Sequence, residues 1–127
     1  MTQRTKDLGK AGEHFAANFL QNNGYKILVQ NFRIRRAEID IVAEINDTII
    51  FIEVKTRTGN AFGLPAEAVD IHKQKKIITA AMNFLQKYDL FNKLCRFDVI
   101  EVFANDNKNF YGWKVNHIKN AFEVTEY

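Results

Sequence analysis

Three side chains in the first half of the chain have the types and spacing to seat a hard divalent cation and to hold positive charge beside it: Asp40, Glu53 and Lys55. They lie in the stretch from Arg36 to Arg57, where two runs rich in Ile and Val meet at Asn46-Asp47. That pair tolerates the positive φ angles of a tight hairpin turn. With those two residues as the loop, Ile45 faces Thr48. One face then sets Asp40 directly across from Glu53, Glu38 across from Lys55, Val42 across from Phe51 and Glu44 across from Ile49. The other carries Ile39, Ile41, Ala43 and Ile45 against Val54, Ile52, Ile50 and Thr48, a core face apolar except for Thr48. A four-residue loop keeps this register and an odd loop does not.

Carboxylates directly opposite on a sheet have Cβ atoms about 5 Å apart, a like-charge contact that destabilises unless something positive lies between them. Mg²⁺ suits the place: it takes one or two protein carboxylates and leaves its other positions to water and phosphate. The period of two in a strand puts the Lys55 ammonium on the same face as Glu53. The competing reading is a set of exposed ion pairs, Glu38 with Lys55 and Asp40 with a nearby arginine, each worth at most about 1 kcal/mol. It accounts for Glu38 and Lys55 and leaves Asp40 opposite Glu53 unexplained.

The elements that must position these groups follow from periodicity. Asp7 to Asn22 is an amphipathic helix with Leu8, Ala11, Phe15 and Phe19 on one stripe and Ala16 and Leu20 beside it, stopped by Asn23-Gly24. Glu13 lies on its flank with Gly9, Ala16 and Leu20. Tyr25 to Arg33 is a strand of imperfect alternation, with Tyr25, Ile27 and Val29 followed by Phe32 and Ile34. After the hairpin, Thr58 to Pro65 is the most turn-rich segment, a rim loop or a plain connector. Asp70 caps a helix reaching about Tyr88, with an earlier start near Pro65 to Glu67 as an alternative. Arg96 to Ala104 alternates less cleanly and is a strand nearly apolar on both faces, as a central strand is, and Phe110 to Ile118 is a last strand after a polar turn. The order helix, three strands, helix, two strands gives an α/β fold, a mixed central sheet flanked by helices.

With 127 residues the chain makes one domain, residues 1–127, able to bury about two thirds of its unfolded surface. Its 46% hydrophobic and 26% charged residues are ordinary globular composition. No apolar run nears the roughly 20 residues that cross a bilayer, and the first residues lack a secretory core, so the expected location is cytoplasmic, with no membrane partner. The single Cys95 makes no internal disulfide, and its neighbours Leu94 and Phe97 favour a buried structural thiol. His14, His72 and His117 lack zinc-ligand spacing, and no phosphate-binding glycine loop occurs. A net charge of +3 does not by itself mark a nucleic-acid binder. Arg33, Arg35, Arg36 and Arg57 flank the acidic hairpin, however, and Lys73, Lys75 and Lys76 cluster further on. Such groups are phosphate contacts or a solvated face. Phe110, Tyr111 and Trp113 are able to stack on bases, though aromatics on a strand are more often core.

Asp40, a hairpin turn and Glu53-Val54-Lys55 resemble the core signature of the PD-(D/E)xK nuclease superfamily, whose fold is restriction-endonuclease-like. Gly12-Glu13, Glu38-Ile39-Asp40, Phe51 to Arg57, Phe62-Gly63, Arg96-Phe97-Asp98-Val99 and Asn120-Ala121-Phe122 resemble the YraN-like family of small bacterial proteins, itself similar to archaeal Holliday junction resolvases. Ile39 stands where the superfamily name has Pro, and Ala37 where the family usually has Gly; neither departure removes a charged group. The resemblance implies a Mg²⁺- or Mn²⁺-dependent nuclease acting on DNA. It assigns the metal to Asp40, Glu53, the Val54 carbonyl and Glu13, catalysis to Asp40, Glu53, Lys55 and Glu13, and a phosphate contact to Lys73, to which the charge distribution adds Arg36 and Arg57 as DNA contacts. It also implies branched or flapped DNA and a homodimer. The alternatives are a catalytically silent nucleic-acid-binding module of the same fold and a scaffold for a DNA-processing partner.

Overall fold

The computed structural model describes residues 3–59, 62 and 66–124, so most of the expected rim loop lies outside the described residues. The chain runs α1 (Gln3–Asn22), β1 (Lys26–Ile34), β2 (Ala37–Ile45), β3 (Thr48–Arg57), α2 (Ile71–Lys87), β4 (Leu94–Phe103) and β5 (Lys114–Phe122). The strands form one sheet in the order β1-β2-β3-β4-β5. Only β3 and β4 pair in parallel, through the crossover that contains α2; the other neighbours are antiparallel. This five-stranded mixed sheet with two helices is an α/β architecture consistent with the restriction-endonuclease-like fold.

Asn46 and Asp47 both take positive φ, 48° and 65°, as a two-residue hairpin turn twisted to match its strands requires. The expected register holds from Ile45↔Thr48 to Ile41↔Ile52. Each face of the sheet builds its own core. α2 lays Ile77, Ala81, Phe84 and Leu85 on Val42, Phe51, Phe97 and Val99, while α1 lays Ala16, Ala17 and Leu20 on Ile41, Ala43, Ile50, Ile52, Ile100 and Val102. Asp70 caps α2 as expected, its side chain accepting the Lys73 N–H at 2.8 Å. No helix among the described residues is long and apolar enough to cross a membrane.

Four local expectations change. α1 starts at Gln3, four residues before Asp7. β5 begins four residues late, because Phe110 to Trp113 form a turn with Phe110 and Gly112 at positive φ; the strand continues to Phe122. Phe110 and Trp113 pack on Phe15 of α1 instead of lining a strand. Cys95 is exposed, not buried, because it stands at the first residues of β4 beyond the reach of either helix.

Asp98 on β4 is buried and fully partnered. It accepts from Arg96 Nε at 2.8 Å and Arg96 Nη2 at 2.9 Å, from the Asn120 backbone N–H at 2.9 Å, and lies 2.7 Å from His117 Nε2. Burial alone would raise its pKa, but the bonds from His117, Arg96 and Asn120 outweigh that and lower it. The network pins the irregular pairing of β4 with β5. Asp98→Ala leaves those donors without an acceptor and is expected to cost about 3 kcal/mol, read as a lower urea midpoint at unchanged slope; a loss under about 1 kcal/mol would contradict the assignment.

Candidate metal and phosphate site

The site forms where β2 and β3 stop pairing. The ladder ends at Ile41↔Ile52, and the Val54 N–H then donates to Asp40 Oδ2 at 2.8 Å. Strand N–H groups point along the sheet plane toward the neighbouring strand, so the Asp40 carboxylate lies in that plane, in the fork between the strands. The expected face-to-face pairing of Asp40 with Glu53 and of Glu38 with Lys55 is thus replaced by a splayed end. The cause is an irregularity shared with β1, a symmetric bulge that leaves the register unchanged and is distinct from the register shift of β1 between Ile27 and Val29. Asn31 has φ 56°, and β1 pairs Gln30↔Ile41 and then Phe32↔Ile39, passing over Asn31 and Asp40. Alternation breaks there, so Ile39 joins the α2-side core while Ile41 stays with α1.

Lying in the fork lets Asp40 meet groups from both sides. Its carboxylate contacts that of Glu53 within hydrogen-bond range and senses Glu38; burial, then Glu53, push its pKa up to about 7 against the lowering pull of the Val54 N–H. Glu13, reaching in from α1, is also pushed up to about 7, by burial first and then by the charges of Asp40 and Glu38. The Asn31 amide, in the orientation that satisfies its neighbours, donates to Glu13 Oε1 at 3.0 Å and Glu38 Oε1 at 2.8 Å. Glu38 pairs with Arg33 at 3.4 Å, not with Lys55. Glu53 stands 3.7 Å from the Lys73 ammonium on α2. Glu13, Asn31, Glu38, Asp40, Glu53 and Val54 all line one cleft of about 570 Å³, with Lys6 and Lys10 of α1 on its wall.

Gly12 permits this approach of α1. A Cβ there would overlap Thr56 Oγ1 and lie 2.9 Å from Thr56 Cβ on β3, so any side chain would lift the helix and carry Glu13 away from Asp40.

The other expected residues divide. Lys55 is half-buried two residues beyond Glu53 and pairs with Glu101 of β4 through its backbone; its ammonium makes no hydrogen bond or ion pair among the described residues, and it is not among the residues that line the cleft. Arg36 sits exposed at φ 72° in the β1–β2 turn and lines a separate groove with Arg33, Lys73 and Lys76. Arg57 is turned inward: its Nε donates to buried Glu101 at 2.8 Å, and Glu67 lies 3.8 Å from its Nη2. Glu101 also accepts from Asn116 at 3.0 Å. Asn31 escaped the sequence reading, although the odd spacing from Val29 to Phe32 marks the bulge that places it. Among the described residues no group of three or more His, Cys, Asp or Glu is gathered to hold a metal; the converging donors are the two carboxylates of Asp40 and Glu53.

A family model described as "Uncharacterised protein family UPF0102" matches residues 12–102. A UPF0102 protein of Caldanaerobacter subterraneus is 48% identical over 117 residues, spanning 92% of this chain and 95% of its own. One from Chlorobium phaeobacteroides is 50% identical, spanning 91% and 94%, and one from Persephonella marina 43%, spanning 91% and 93%.

Asp40 and Glu13 hold their protons more tightly in the folded chain than their ordinary values of 3.8 and 4.5. Their contribution to stability is therefore full below those values and is lost as the pH climbs through about 7. Asp40→Asn keeps an acceptor for the Val54 N–H and carries no charge. Without divalent metal it should already melt somewhat above wild type at pH 5 and further above it at pH 8, the gap widening between the two by about 2 kcal/mol, roughly 7 °C. A lower melting temperature at pH 8 would show that the fold depends on the charge itself.

Proposed function

The chain belongs to the UPF0102 family, which is the YraN family, and from that premise we propose that it is a divalent-metal-dependent phosphodiesterase acting on DNA. One observation carries the reading: Asp40 and Glu53 bring two carboxylates together at a half-buried place where the fold needs only one neutral acceptor. The donor set fits Mg²⁺ or Mn²⁺. Both are hard cations satisfied by one or two protein carboxylates with water and phosphate oxygens beside them, so no third acid has to be gathered. Asp40, Glu53 and the Val54 carbonyl would hold the ion, with Glu13 reaching it directly or through water. When bound, such an ion lowers the pKa of a coordinated water and stabilises charge on a phosphoryl oxygen.

The chain's own residues supply the rest. Lys55, on the strand face it shares with Glu53, positions a water or meets developing negative charge with its ammonium. Asn31 holds Glu13 and Glu38 in place by one amide. Arg36 and Lys73 present cations to the phosphates that flank the reacting one, and α1 and α2 both direct their N-termini, the positive ends of their dipoles, at this end of the sheet. Arg57, held by Glu101, contributes to the local field from behind. The resemblance to archaeal resolvases extends the proposal to branched or flapped DNA and to a homodimer.

One observation favours a second reading, a DNA-binding module without catalysis: the Lys73 ammonium beside Glu53 partly neutralises the acidic pair from within.

Cleavage of junction, flap and single-stranded DNA with Mn²⁺ is expected from wild type, with losses of about 100-fold or more in Asp40→Asn and Lys55→Ala. Equal activity in all three would refute the assignment. Mn²⁺ at a hundredfold excess over its dissociation constant should also stabilise the wild type by about 2.7 kcal/mol. Asp40→Asn should abolish that shift. Salt-sensitive DNA binding with no Mn²⁺-dependent melting shift selects the silent module.

A further inference from the structure

β4 runs parallel to β3 and leaves the sheet at the same end, so the segment joining β4 to β5 emerges beside the carboxylates. A second cleft, of about 550 Å³, opens there between this segment and the first turns of α1. Leu8 lines both clefts, which makes them neighbours along one wall. The second cleft is lined by two aromatic rings, Phe110 and Trp113, by Asn107, whose amide nitrogen has no partner among the described residues, and by Lys108 and Asp7, while Arg4 lies 3.8 Å from Asp106 and the Asn105 amide is spent on the loop itself.

The aromatic pair is held, not merely exposed. Trp113 Nε1 donates to Asn105 Oδ1 at 3.1 Å, and Asn105 in turn donates to the Tyr111 carbonyl at 2.9 Å. Phe110 takes φ 69°, a left-handed conformation that bulky side chains adopt only where the surroundings impose it. The two rings meet edge to face, 4.8 Å between centroids, with Phe15 beneath them. Both remain half-exposed.

We propose that this cleft binds one unpaired nucleobase of the strand whose phosphate occupies the Asp40–Glu53 cleft. The phosphate part rests on the phosphodiesterase reading; the base part rests on the geometry of the segment itself. A base inside a duplex has both faces covered by its neighbours, whereas an unpaired one presents a face to aromatic rings and an edge to amides. Lys108 on the cleft wall is the cation available to a flanking phosphate. The substrate class is DNA with an unpaired nucleotide next to the bond that reacts.

Trp113 is the single tryptophan of the chain, so its emission reports this cleft directly. The full chain, with Ca²⁺ in place of Mg²⁺ or Mn²⁺ to screen the paired carboxylates and strand integrity checked on a gel, is titrated with labelled oligothymidylate, with an abasic strand of equal length and with blunt duplex, while anisotropy of the label reports binding. Oligothymidylate should quench Trp113 to saturation, and the abasic strand and duplex should bind without comparable quenching. Trp113→Ala should weaken oligothymidylate binding about tenfold, and Trp113→Phe, which keeps a stacking face, by less than about threefold. Wild-type emission keeps the test decisive even where Trp113→Ala is destabilised. Equal quenching by the abasic strand, bound oligothymidylate with unchanged emission, or no binding of any strand overturns the nucleobase site. Asp40-dependent cleavage is read separately: its persistence with a silent Trp113 sinks only this inference, and its absence with quenching intact sinks only the phosphodiesterase reading.

Discussion

The hydrogen bond from the Val54 N–H to Asp40 Oδ2 governs how the splayed end of the sheet is arranged. A strand N–H that loses its ladder partner must find another acceptor or remain costly, and β2 turns away from β3 at this residue. Asp40 closes the gap with its side chain. In doing so it occupies the sheet plane, where a residue of regular alternation would point to one face only, and it becomes reachable from α1 through Glu13 and from β3 through Glu53. The bulge at Asn31 and the missing side chain at Gly12 serve the same arrangement, one by breaking alternation and the other by letting the helix come close.

Two aspartates of one sheet show why the charge at Asp40 needs an explanation. Asp98 is the more deeply buried, yet it is surrounded by donors, two of its partners being Arg96 and His117, and its pKa is lowered. Its negative charge serves the fold. Asp40 has one backbone donor and acidic neighbours, and its pKa is raised. An asparagine would satisfy Val54 equally well, so the fold requires an oxygen there and gains nothing from ionisation. That surplus of acid in a cleft is the feature on which the proposed metal site rests.

Much of this was legible in the residues. The Asn46-Asp47 turn, the register of the hairpin's inner half and the Asp70 cap follow from local chemistry, and the family follows from motifs spread over most of the chain. The splayed end of the hairpin is not legible in the same way, because the alternation of a regular strand predicts no break at Asp40. Only the pairing of β1 with β2 reveals the break, and its trace in the sequence is the odd step from Val29 to Phe32. Arg57 looked like a free cation because its partner Glu101 lies 44 residues away along the chain, a distance over which no periodicity speaks. Cys95 looked buried because its neighbours are apolar, whereas Leu94 beside it is itself 75% exposed.

That last correction has a practical side. Cys95 is the only cysteine and stands where β4 begins, beside the start of β3, while the acidic cleft lies at the far end of the same strands. A maleimide dye or a surface tether attached to this sulfur would therefore leave the cleft facing solution. The same accessible thiol can couple two molecules in air-oxidised buffer, so the apparent mass of the protein should be measured under reducing conditions before any pairing of subunits is attributed to the fold.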